Sequence, residues 1–227
     1  MFTLEDRHEE AEVVSLERPE LLMFCGLMGL AGCIAPFVTI VWGTAVADHD
    51  FIADTISDLA RGDHKRIMDV GFYLNASGLL AIAIAAAHAH LGKVGWTLGV
   101  FALSFLALVV VLLGLWDEFN DVGGPGTDMT VHTQLTFLLG PLYLIGPLVM
   151  AKGAGGISPT YGWLFVASAA IWALFAAAFK LSPDSIDGIV EKIAIGGSFL
   201  WTVPLSFLFI ARGYEKTHRV TGRRQQS

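Results

Sequence analysis

Ser57, Asp58, His132 and Glu191 are the residues of this chain whose types could move a proton or attack a carbonyl, and Arg61, Asp117, Asp121 and Lys192 are the charges placed to serve them. A histidine about one turn into a membrane helix either donates to a carbonyl as a packing residue or pairs with a carboxylate as a ligand or proton acceptor. Three readings follow. In the first, these side chains form a polar network at an acidic mouth that binds a small cationic ligand or a lipid headgroup, or that supports a larger membrane complex. In the second they are an intramembrane lipid hydrolase, possibly metal-dependent, with Asp or His activating water. In the third, His132 and a carboxylate are the protonated pair of a proton- or cation-coupled carrier. The first asks least of the sequence.

The elements that must position these residues are set by composition. Of 227 residues, 54% are hydrophobic and only 15% charged, against about 25% charged in a soluble domain. A hydrocarbon core about 30 Å thick takes roughly 20 apolar residues per helix. Stretches of that kind run over Leu21 to Gly43, Ile67 to Leu91, Val94 to Trp116, Met129 to Ala151, Tyr161 to Phe179 and Gly188 to Ala211. They are continuous and rich in Ala, Leu and Gly, not alternating as barrel strands are. The expected fold is all-α, a polytopic bundle of six transmembrane helices. Residues 1–20 form an acidic tail, 21–211 the transmembrane domain and 212–227 a basic tail. The seven acids of the first twenty residues are the opposite of a secretory n-region, so no cleavable signal is expected.

Lys and Arg set the orientation. With six spans both termini share a side, and that side holds Arg7, Arg18, Lys93, Lys152, Arg212, Lys216, Arg219, Arg223 and Arg224. The bias predicts cytoplasmic termini in a multi-pass protein of the bacterial cytoplasmic membrane. The other side then collects Asp48, Asp50, Asp54, Asp58, Asp63 and Asp69, next Asp117, Glu118, Asp121 and Asp128, and last Asp184, Asp187 and Glu191. Asp69 is expected near the start of the second span with Arg66 on its face, and Asp128 as an N-cap just before His132. Phe51 to Gly62 reads as a short interfacial helix stopped by Gly62, with Ser57 or Asp58 turned to the mouth. The third span ends at about Leu115 to Asp121, and Val122 to Gly126 after it is too rich in Gly and Pro for regular structure and reads as a lid or a plain linker. Glu191 and Lys192 point about 100° apart, so each is expected to find its own neighbour.

Smaller features complete the frame. Cys25 and Cys33 lie about 12 Å apart along one helix, too far for a disulfide. Gly26, Gly29 and Gly32 give the first helix a smooth packing face, and Gly196-Gly197-Ser198 offers the same in the last. Asn75 and Ser77, the deepest polar residues of the second span, are expected to bond a neighbouring helix or their own backbone. No phosphate-binding loop, dinucleotide fingerprint or hydrolase elbow is present, and a net charge of −7 disfavours nucleic acid. The expected partners are membrane lipids, with partner subunits or a second copy of the chain as further candidates.

The segment Ile56-Ser57-Asp58-Leu59-Ala60-Arg61-Gly62, the aromatic and acidic stretch before the histidine that opens the fourth helix, and Gly188-Ile189-Val190-Glu191-Lys192 together resemble a prokaryotic membrane family, the domain of unknown function 998. The resemblance covers about Leu22 to Ile210 and implies a polytopic helical membrane protein. It carries over Ser57, Asp58, His132, Glu191 and Lys192, and either Asp117 or Asp121. The Ser, Asp and His near one face are also similar to the alkaline ceramidases and adiponectin receptors, which hydrolyse lipid amides with histidine-held zinc. This chain departs from them in having six spans, with His132 alone near that membrane face, His49 and His64 in the loop, and His88 and His90 at the opposite end. Zinc here would need Asp-rich ligation; no cofactor is otherwise expected.

Overall fold

A computed structural model describes residues 17–115 and 131–224. Among them are seven α-helices and no strand: α1 (Pro19–Val46), α2 (Ile56–Leu59), α3 (Lys65–Ala89), α4 (Val94–Leu115), α5 (Val131–Ile157), α6 (Pro159–Phe179) and α7 (Asp187–Arg224), with a short 3-10 turn at Gly62–His64. All but α2 are long and apolar enough to cross a membrane. Only helices and closed barrels satisfy every backbone group in lipid, so this is a multi-pass integral membrane protein. Each span packs on its neighbour in sequence, and α7 closes the ring against α1.

Three differences from the sequence reading have physical causes. Phe51–Gly62 is not one continuous helix. Residues 51–54 form a turn, and α2 tucks Ile56 and Leu59 into the bundle against Ile40 and Met68, with Gly62 ending the segment at φ +64°. Asp69 pairs with Lys65 at 2.5 Å rather than with Arg66, and Lys65 also donates to the Gly114 carbonyl of α4. The last helix does not stop at Ala211 but runs on to Arg224.

That extension carries a staple between the two chain ends. Glu17, part of the acidic tail in the sequence reading, is buried and accepts Arg212 through Nε and Nη2 at 2.8 and 2.7 Å, and Lys216 Nζ at 2.6 Å. Burial pushes its carboxyl up, but the hydrogen bonds and charges of Arg212 and Lys216 outweigh burial and leave it below the ordinary range.

The α1–α3 seam shows why the polar residues in the spans are there. Pro36 lacks the N–H that would close the turn onto Gly32, and the orphaned Gly32 carbonyl accepts Asn75 Nδ2 from α3 at 3.0 Å. Ser77, by contrast, returns to its own helix at the Tyr73 carbonyl. Gly26 and Gly29 lie against α7 at Ser206, and Gly32 lies against Gly78 of α3. Cys25 and Cys33 are free and buried, Cys33 Sγ lying 3.3 Å from Thr202 Oγ1. Gly197 packs on Ile171, whereas Gly196 faces open space.

Candidate functional site

The site is built at the end of the bundle away from the termini, by two short segments that cap one another. In the turn after α1, the Asp50 carboxylate accepts the N–H groups of Ile52 and Ala53, which hold it below the ordinary carboxylate range. The carbonyls so exposed, Ile52 and Ala53, accept the first N–H groups of α7, those of Ile189 at 2.9 Å and Gly188 at 3.0 Å. Those helix donors otherwise lack partners. Position 188 has to be glycine, because a Cβ there would collide with the Asp54 carbonyl.

The first turn of α7 grips back. Lys192 Nζ donates to the Asp54 carbonyl at 2.7 Å and sits over the Phe51 ring, while Glu191 Oε2 accepts the Ile56 N–H at 2.6 Å. The two charges thus find different neighbours, as their spacing predicts. Thr55 and Asp58 close a capping box on α2, and the other Asp58 oxygen meets Arg61 at 3.1 Å. Both Asp58 oxygens are therefore engaged in holding α2. His49 sits beside this turn with its side chain 3% exposed and Nδ1 3.7 Å from Asp54. Burial first, and the Lys192 charge second, push its imidazole down despite Asp54, Asp58 and Asp50 nearby.

What this scaffold presents is Ser57. Its Oγ lies 3.0 Å from His132 Nε2 of α5, a contact in which the hydroxyl donates when Nε2 carries no proton. Both line a cavity of about 600 Å³ that opens between α2, α5, α6 and α7. Its polar wall is Ser57, Asp58, Arg61, His132, Lys180 and Glu191, and its apolar wall includes Phe137, Leu139, Trp172 and Ile195. Of the residues singled out from sequence, Ser57, Asp58, Arg61, His132 and Glu191 meet here, whereas Lys192 turns to the loop behind. Asp117, Asp121, the Asp128 cap and the Val122–Gly126 run lie outside the described residues.

Sequence reasoning missed three parts of the site. Thr55 was legible as the start of a T-x-x-D capping pattern. Lys180 follows the last residue of α6 and stacks its Nζ 5.1 Å from the Phe137 ring centre and 5.3 Å from that of Phe179; only its position at a helix end hinted at this. Trp172 gives no local signal at all. As for zinc, no three His, Cys, Asp or Glu side chains are grouped as metal ligands among the described residues, and Asp58 is committed to its cap.

The chain matches no curated protein and no solved structure. A family model, "Protein of unknown function (DUF998)", matches residues 30–208, which includes α2, the mouth of α5 and the first turn of α7. The protein belongs to this family, the domain of unknown function 998.

Proposed function

We propose that this integral membrane protein binds one amphiphilic molecule, a lipid or a compound of lipid-like shape, in the cavity between α2, α5, α6 and α7. The observation that carries this reading is the division of the cavity wall: hydroxyl, imidazole and charged groups at the mouth, aromatic and aliphatic side chains deeper in. A volume of about 600 Å³ lies in the ordinary range for small-molecule sites, which runs from about 300 to 1,000 Å³. The distribution of Lys and Arg supports cytoplasmic termini and a mouth on the outer face of a bacterial cytoplasmic membrane. Native mass spectrometry of protein extracted gently from its own membrane tests the reading. The expected result is a one-to-one adduct that disappears in Gly140→Leu, since Gly140 lines the cavity and has room for a side chain. An adduct unaffected by that change contradicts it.

The Ser57–His132 contact favours a second reading, hydrolysis of the bound amphiphile. Ser57 Oγ would attack an ester or amide carbonyl carbon and pass its proton to His132 Nε2. The imidazolium would return that proton to the leaving oxygen or nitrogen, and water would then release the acyl group from Ser57. Covalent labelling by a fluorophosphonate tests this. Labelling of the native protein that is lost in both Ser57→Ala and His132→Ala supports hydrolysis; labelling that persists in Ser57→Ala excludes Ser57 as the nucleophile.

A further inference from the structure

The charges on the cavity wall specify more than an amphiphile. Asp58 and Arg61 neutralise one another, and Asp58 is also spent on the α2 cap. Two groups of opposite sign remain, on different helices. Glu191 engages one carboxylate oxygen with the Ile56 N–H, and a carboxylate has about four acceptor sites. Lys180 Nζ rests on the Phe137 and Phe179 rings and meets no carboxylate among the described residues. They line the same cavity without bridging each other.

We propose that the cavity is selective for a zwitterionic glycerophospholipid with a primary ammonium headgroup, its ammonium on Glu191 and its phosphate on Lys180. The inference rests on the amphiphile-binding reading and names the class of molecule bound. The ammonium is primary because a carboxylate accepts N–H donors, which a quaternary headgroup lacks. Recognition of a quaternary headgroup would call on aromatic faces; here two of the aromatic rings carry Lys180, and Trp172 is packed against Tyr143 at 4.5 Å between ring centres. Ser57 and His132 line the polar end of the same cavity, on the side where the glycerol ester region would lie. An acidic mouth, read from sequence as a site for a cation, thus becomes half of a two-signed site, because the cation-binding half has a lysine opposite it.

The test uses the full chain, delipidated and offered phosphatidylethanolamine, phosphatidylcholine and phosphatidylglycerol in equal amounts, with bound lipid identified by native mass spectrometry. The expected result is retention of the ethanolamine lipid over the other two by on the order of tenfold, the worth of one charge-assisted contact. Glu191→Gln keeps an acceptor for Ile56 and is expected to abolish the preference over phosphatidylglycerol. Lys180→Gln, at an exposed helix end, is expected to weaken retention of all three. Equal retention of the three lipids by the native protein, or a preference that survives Glu191→Gln, overturns the headgroup assignment while leaving amphiphile binding in place. Failure to retain any of the three overturns the headgroup assignment alone, whereas retention unchanged in Gly140→Leu overturns both readings.

Discussion

Two sets of glycines show how differently the sides of this bundle are built. A methyl added at Gly32 of α1 would meet the Cα of Gly78 in α3 at 2.7 Å, so the two backbones touch. A methyl at Gly140 of α5, which lines the cavity, or at Gly196 of α7, which does not, would meet nothing within 4 Å. Burial runs the same way for three of the spans, 56% of the most apolar stretch of α3 against 28% for α5 and 22% for α6, while α1 and α7 are equal at 44%. Lipid gives helices no hydrophobic reason to associate, so cohesion comes from close packing and interhelical hydrogen bonds. The α1–α3 seam has both. The α5–α6–α7 side gives up close packing at its mouth, and the volume released is the cavity. A glycine motif alone therefore does not say whether it serves contact or space.

The contrast is sharpest in stability. Gly78→Leu is expected to cost about 3 kcal/mol, as overpacking against backbone does, whereas Gly140→Leu is expected to stay within about 0.5 kcal/mol of the native protein. Thermal unfolding in one detergent measures both, and equal losses would erase the distinction between seam and cavity. Next in size is the polar link of the seam. Asn75→Leu leaves the Gly32 carbonyl without its donor and is expected to cost about 2 kcal/mol. Pro36→Ala restores an N–H to that carbonyl, so Asn75→Leu in that background is expected to cost less, and strict additivity in the double-mutant cycle would contradict the pairing.

Glu17→Gln weakens the staple of the chain ends and is expected to cost about 2 kcal/mol, as the loss of hydrogen bonds to a charged group does. Because the folded carboxyl titrates below its unfolded value of about 4.3, its contribution is complete above that pH and is lost as pH falls through the folded value. The protection factor of amides at the start of α1, which removes the intrinsic pH dependence of exchange, is expected to fall below about pH 4 in the native protein and to show no such step in Glu17→Gln.

The spans were legible because a run of about 20 apolar residues has few alternatives. Within them, Asn75 and Ser77 were legible as hydrogen-bonding residues, but the choice of the Gly32 carbonyl was not, because it depends on Pro36 of another helix facing Asn75. At the mouth, Ser57, Asp58, His132 and Glu191 stood out by type, and the capping pattern from Thr55 to Asp58 was present to be read. What local pattern does not carry is that loop carbonyls 52 and 53 cap α7. That pairing joins segments more than 130 residues apart and decides that Lys192 faces the loop while Glu191 faces the cavity. Glu17 was misplaced for the same reason, its partners lying nearly 200 residues away.

The central claim is that the cavity holds one chosen amphiphile while the outer faces of the spans meet bulk lipid. A photocrosslinking amino acid placed at Trp172, which lines the cavity and is 7% exposed, can be compared with the same probe at Trp163, which is 74% exposed. In native membranes the account predicts a single dominant adduct mass at position 172 and a mixture matching total lipid at position 163. The same mixture at both positions, or no adduct at 172, would contradict it.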